Sequence, residues 1–127
     1  EGTVTYGNAG HHPPMLFLGE ETPRVPPIDS GLALGIYPEA TFGTGSFELK
    51  DRERLLLYTD GVIEAMNFQR EEFGDERLEA IVRGFAPGQE LAEQLQKICE
   101  EVEKFREGAP PNDDTTVLLL ASRAVQA

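Results

Sequence analysis

The sequence predicts an α+β domain in which helices pack on a mostly antiparallel sheet. Three observations carry that reading. The first half is a series of short apolar runs broken by glycine and proline. The second half switches to a helical period over two long stripes, and the chain returns to one apolar run near its end.

Taken in order, Val4 and Tyr6 alternate with polar residues, and Gly7-Asn8-Ala9-Gly10-His11-His12-Pro13-Pro14 separates them from Met15-Leu16-Phe17-Leu18. Two short apolar runs around such a loop predict a hairpin with a long connection. Pro23, Pro26 and Pro27 lack the amide proton a ladder needs, so no regular pairing is expected through them. Phe47 and Leu49 alternate with polar neighbours before a Lys50-Asp51-Arg52 turn, and Leu55 to Tyr58 read as a central strand buried on both faces. Leu78, Ile81, Val82 and Phe85 then fall on one face of a helix stopped by Gly84 and Pro87. Leu91, Leu95, Ile98, Val102 and Phe105 make a longer stripe, ended by Gly108, Pro110 and Pro111. Cys99 lies beside that stripe and reads as a small packing residue rather than a reactive thiol. Thr116 to Ala121 form the closing strand.

A chain of 127 residues is long enough for one domain with a real core. Its formal charge of -12 argues against nucleic-acid binding, which needs a basic face to neutralise phosphates. The same charge disfavours adsorption to anionic membranes, and no stretch approaches the roughly 18 apolar residues of a membrane span. No signal-peptide pattern opens the chain. One cysteine forms no internal disulfide, so a reducing, cytoplasmic setting is the default expectation. A chain opening on Glu1 rather than Met is expected to be a piece of something longer.

The chemistry-bearing residues are acids at strand ends. Leu55-Leu56-Leu57-Tyr58-Thr59-Asp60-Gly61-Val62 couples an apolar run to Asp60, and Asn112-Asp113-Asp114-Thr115-Thr116-Val117 puts two acids before the last strand. Hard divalent cations take oxygen ligands, usually one or two carboxylates with water completing the shell. If the two strands are neighbours, Asp60 and Asp113 or Asp114 converge at one end of the sheet, and unscreened repulsion there demands a cation or a raised pKa. Gly61 would let the backbone turn sharply and approach a ligand. The competing reading is an Asp-Gly turn and an Asp-Asp-Thr-Thr loop hydrogen-bonded to its own backbone.

Four separated segments resemble the C-terminal part of a SpoIIE-type serine phosphatase, a bacterial branch of the protein phosphatase type 2C (PPM) group. They are Asn8 to Pro14, Gly31-Leu32-Ala33-Leu34-Gly35, Leu55 to Ala65, and Asp113 to Val117, with Phe73-Gly74 and Arg77-Leu78 also in register. The resemblance runs over nearly all of residues 1–127, taken as the C-terminal portion of a single phosphatase domain. It implies an α+β fold, a mostly antiparallel β-sandwich flanked by helices, of which about half is represented here. It further implies a two-metal site using Mn²⁺ or Mg²⁺, with Asp60 and Asp113 as ligands that act through bound metal and water. Asp114 is then expected to orient the loop or a metal-bound water, and Thr115 and Thr116 to start the last strand. His11 and His12 fall on a structural turn beside the site, with His12 where an Asn is usual, and Glu64 reads as a helix-start acid favoured by the helix dipole.

The family draws a bridging carboxylate from a Gly-Asp segment of the N-terminal half, and no such segment precedes Asn8. The resemblance therefore implies a metal-dependent serine/threonine phosphatase as an intact domain and an inactive fragment alone. Its substrate is expected to be a phosphorylated regulatory protein of the anti-sigma-factor antagonist type, with an upstream sensor or response-regulator domain in control. The alternative is a non-catalytic interaction module, whose unpaired half-core would seek a partner and give a homodimer.

Overall fold

The structure, a computed structural model, describes residues 2–27 and 31–123. Among the described residues five strands and three helices follow in the order β1 (Gly2–Tyr6), β2 (Met15–Phe17), β3 (Gly45–Leu49), β4 (Arg54–Tyr58), α1 (Asp60–Ile63), α2 (Gly74–Arg83), α3 (Leu91–Arg106) and β5 (Val117–Ala121). All pairing is antiparallel, in a three-stranded sheet ordered β2-β4-β5 and a two-stranded ribbon of β1 and β3.

Alternation along β4 decides the layers. Leu56 and Tyr58 face the helices, where with Met15 and Phe17 of β2 they pack on Val62, Leu78, Val82, Ile98 and Val102. Leu55 faces the other way and joins Leu16, Leu49, Val4 and Phe47 in a second, smaller cluster under the ribbon. Arg77 ties the two long helices together. Its guanidinium donates to the Glu72 and Phe73 carbonyls at 2.8 and 2.9 Å and lies 4.5 Å over the Phe105 ring.

Several expectations are corrected. β1 and β2 do not form a hairpin, since β1 pairs with β3 in the register Val4↔Phe47 while β2 pairs with β4. All three residues of β2 are buried, a demand met only with both faces covered. β4 is central as expected, but it is not buried throughout. Leu57 is 36% exposed, and beside it Leu118 and Leu120 of β5 are 53% and 40% exposed. The ribbon covers Leu16 and Leu55 and stops short of these three, which line a cleft of about 500 Å³ with Val4, Tyr6 and Phe47.

Cys99 is exposed and is not a packing residue. The buried face of α3 runs through Gln94, Ile98, Val102 and Arg106, so the position after Ile98 turns outward. Gln94 is buried because it accepts from Arg54 Nε at 3.2 Å. α2 does stop at Gly84, its last residue being Arg83, two residues before Phe85, which still packs in the core.

Candidate functional site

Antiparallel pairing of β4 with β5 places the end of one beside the start of the other, with Tyr58 opposite Val117. The ladder continues past both strands. Thr59 N–H donates to the Thr116 carbonyl at 3.0 Å, Thr116 N–H donates to Thr59 Oγ1 at 2.9 Å, and that hydroxyl donates to the Asp114 carbonyl at 3.2 Å. Asn112 Nδ2 adds a bond to the Glu64 carbonyl at 3.0 Å. The segments carrying Asp60 and Asp113–Asp114 are thus bound together at one edge of the sheet. Thr115 and Thr116 precede β5 rather than starting it.

Gly61 makes this junction possible, for a different reason from the one expected. It lies inside α1 and takes no sharp turn. A Cβ there would stand 2.1 Å from the Asp114 carbonyl oxygen, so the close approach is backbone against backbone. Glu64 is likewise corrected. α1 begins at Asp60, and Glu64 caps its C-terminal end.

The carboxylates themselves stay in water. The Asp60 side chain is 60% exposed and its Oδ1 lies 3.0 Å from His12 Nδ1. Asp113 is exposed, and its Oδ1 accepts the Asp114 N–H at 2.7 Å. Neither Asp60 carboxylate oxygen, nor the second one of Asp113, accepts a hydrogen bond among the described residues. Exposed carboxylate oxygens are the donors a hard divalent cation takes. Among the described residues, however, no three His, Cys, Asp or Glu side chains stand close enough to hold one. The donor set fits a cation that draws at least one further ligand from elsewhere.

Sequence reasoning placed His11 and His12 in a turn, and the turn is there. Asn8 brackets it, accepting the His11 N–H at 2.9 Å and donating to the His11 carbonyl at 2.8 Å. Gly10, at a φ of 89°, packs so closely that a Cβ would meet Ala33 Cα at 2.5 Å. The contact with Asp60 was not foreseen. The His12 ring also stacks on Tyr58, centroids 4.6 Å apart, and Tyr58 donates its hydroxyl to Asp75 at 3.3 Å. Burial, then the Asp75 charge and hydrogen bond, then Glu79 and Asp60 push the Tyr58 phenol up to about 12.

Arg106 was also missed, because a basic residue in the last turn of a helix reads as a dipole partner. It is 5% exposed. Its guanidinium donates to Thr115 Oγ1 at 3.2 Å and to Glu103 at 2.6 Å, while Nε is buried without a partner among the described residues. Thr115 Oγ1 lies 3.4 Å from the Gly61 carbonyl. A buried cation therefore braces the loop that carries the acids.

The comparisons agree with this architecture. The SiaA-PP2C domain of Pseudomonas aeruginosa superimposes with a TM-score of 0.74 at 20% identity, covering 95% of this chain and 46% of that one. The phosphatase domain of the cell fate determinant SpoIIE from Bacillus subtilis, presoaked with Mn, gives 0.67 at 23% identity over 94% of this chain and 50% of that one. The fold is therefore part of a PP2C phosphatase-domain fold. Protein IcfG of Synechocystis sp. is 33% identical over 118 residues, which span 92% of this chain and 18% of IcfG. The chain thus covers half or less of the length of each of these relatives. The family model of Stage II sporulation protein E (SpoIIE) matches residues 1–123, and the chain belongs to the SpoIIE family.

Proposed function

We propose that residues 1–127 are the C-terminal portion of a single metal-dependent serine/threonine phosphatase domain. Its substrate on this reading is a phosphorylated regulatory protein in bacterial signalling, of the anti-sigma-factor antagonist type. The observation that carries the proposal is the joining of the Asp60 and Asp113 segments at one sheet edge by backbone and threonine hydrogen bonds. Asp60 and Asp113 would hold Mn²⁺ or Mg²⁺. Bound there, such ions supply Lewis-acid activation for hydrolysis of a phosphoserine or phosphothreonine ester.

The chain's own residues bind and orient. Thr59, Thr116 and Arg106 hold together the two segments that carry the acids, and the exposed carboxylates leave an open approach for a phosphoryl group. An upstream sensor or response-regulator domain and a cytoplasmic location belong to the same reading. The test is Asp60→Asn in the intact protein, which is expected to abolish phosphate release from a phosphoserine substrate without changing the unfolding midpoint. A wild-type rate removes Asp60 from the mechanism. The 127-residue chain alone is expected to be inactive, because its donor set is incomplete.

A second reading is favoured by the open leucine face. Leu57, Leu118 and Leu120 would suit a non-catalytic interaction module that buries them in a homodimer. Sedimentation of the purified chain separates the two, since the module must self-associate.

A further inference from the structure

We propose that Arg106 is a positioning residue for the Asp113 carboxylate, acting through Thr115 and the loop backbone between them. The proposal rests on the reading of Asp113 as a metal ligand. Three observations carry it.

The first is how the Asp113 carboxylate takes its direction. It is exposed, and its Oδ1 accepts the N–H of the next residue, Asp114, at 2.7 Å. Tied to its own backbone in this way, the side chain points where the loop points. Whatever orients the loop therefore orients the oxygen left for a cation.

The second is that the loop is gripped from two elements. Thr59, just past β4, donates its hydroxyl to the Asp114 carbonyl and accepts the Thr116 N–H. Thr115, between those two residues, is held instead from α3, where Arg106 Nη2 donates to its Oγ1 at 3.2 Å. A hydroxyl that accepts one proton still has its own to give, and the Gly61 carbonyl stands 3.4 Å away to take it. One threonine thus ties α3 to the Asp113 loop and to the residue after Asp60.

The third is that stability does not account for an arginine here. The side chain is 5% exposed, and its Nε finds no partner among the described residues. The acid it pairs with, Glu103, is 70% exposed. A buried cation with an idle donor and a solvent-screened partner adds little over a well-packed apolar side chain. What an apolar residue lacks is the planar fork, which reaches Glu103 and Thr115 from two nitrogens at once. Held by burial, that fork sets the position of the hydroxyl that accepts from it, the role that partners of metal-site residues take.

Arg106→Met keeps the stem and removes the donor. Thr115→Val keeps the branched shape and the Arg106 charge but removes the acceptor, and Thr115→Ser restores it. Mn²⁺ affinity of the intact protein, measured by calorimetric titration, is the readout, with the unfolding midpoint of each metal-free variant recorded beside it. We expect Arg106→Met and Thr115→Val each to weaken Mn²⁺ binding by about tenfold, and Thr115→Ser to stay within about threefold of wild type. The double variant Arg106→Met/Thr115→Val should bind no more weakly than the weaker single one, because both changes remove one contact. Lowered midpoints with wild-type affinity overturn the proposal, since the brace would then serve folding alone. A loss in Arg106→Met that Thr115→Val does not share also overturns it, as do losses that multiply in the double variant. Should Arg106→Met fail to fold, Thr115→Val against Thr115→Ser makes the comparison. Asp113→Asn, run in parallel, separates the two levels. If it abolishes Mn²⁺ binding while the Arg106 and Thr115 variants bind normally, the positioning role alone fails. If Asp113→Asn binds Mn²⁺ normally, the ligand assignment fails and takes the positioning role with it.

Discussion

Gly61→Ala is the sharpest probe of how the two acidic segments are joined, because two physical effects give opposite signs. Gly61 is helical, and in a free helix alanine is favoured over glycine by about 1 kcal/mol. Against that, the new Cβ would stand 2.1 Å from the Asp114 carbonyl oxygen and 2.8 Å from its carbon. Restoring a close C···O contact of about 3.3 Å requires the segments to part by about 1.2 Å. The Asp114 carbonyl cannot retreat that far while keeping its bond from Thr59 Oγ1, and the Thr59–Thr116 pair moves with it. Losing two such exposed bonds costs about 1–3 kcal/mol, and the overpacked contact adds about 1, which together is roughly 2–4 kcal/mol. After the helical gain, the net expectation is destabilisation of about 1–3 kcal/mol. Urea denaturation reads this directly, as a midpoint lowered by on the order of 1 M. A midpoint that is unchanged or raised would refute the reasoning, since only the helical term would then be acting and the Asp114 backbone could not lie against Gly61.

Three further outcomes are expected. Thr115→Val should cost more than Arg106→Met, roughly 1–3 kcal/mol against about 1 or less. Removing Thr115 strands a buried guanidinium nitrogen, whereas removing Arg106 returns Glu103, 70% exposed, to water; chemical denaturation showing the reverse order contradicts the brace. Leu118→Thr and Leu120→Thr should change the stability of the 127-residue chain by no more than about 1 kcal/mol, and that of the intact protein by about 2–3 kcal/mol. Equal effects in both would mean that nothing covers that face. For Tyr58, whose phenol is raised from 10.0 to about 12, the fold favours the neutral form. That stabilisation is fully present below pH 10 and is lost as pH rises through about 12. An ultraviolet absorbance titration should therefore show one late ionisation that Tyr58→Phe removes, and a curve indifferent to that substitution would sink the assignment.

What the sequence made legible follows from how local each signal is. The closing strand, the central strand and both long helices are written in continuous runs or in a helical period, and all four formed. Pairing partners are not written locally. A five-residue alternating strand such as β1 fits either neighbour, and only burial of every residue in β2 forces the choice. Leu57 belongs to an apolar run, but a run does not say what covers each face. On α3 the buried stripe includes Gln94 and Arg106, so counting apolar residues alone turned the face too far and drew Cys99 inward. At the site, Asp60 and the Asp113 loop could be placed on one sheet edge, because antiparallel neighbours bring an exit beside an entrance. Gly61 stood out as a special position, but the atom it makes room for lies far along the chain. The partners of His12 and Arg106 are equally distant and left no local mark.

The two ends of β4 show why the acidic edge needs something more than these residues supply. At its start, Glu53 and Arg54 are both buried and both satisfied, Glu53 by Arg24 and the Lys50 amide, Arg54 by Gln94 and the Gln89 carbonyl. Charge excluded from water there is hydrogen-bonded, as it must be to be tolerated. At the other end the carboxylates of Asp60 and Asp113 remain in solvent, in a chain of net charge -12. Such an edge draws cations from solution, yet among the described residues its donors are too few to close a coordination shell. The same sheet leaves Leu57, Leu118 and Leu120 uncovered on the face away from the helices. On the proposed reading one further layer of β-structure answers both deficits at once. It would cover the leucines and bring the missing carboxylate to the sheet edge, so that folding of the full sandwich and assembly of the metal site become a single event.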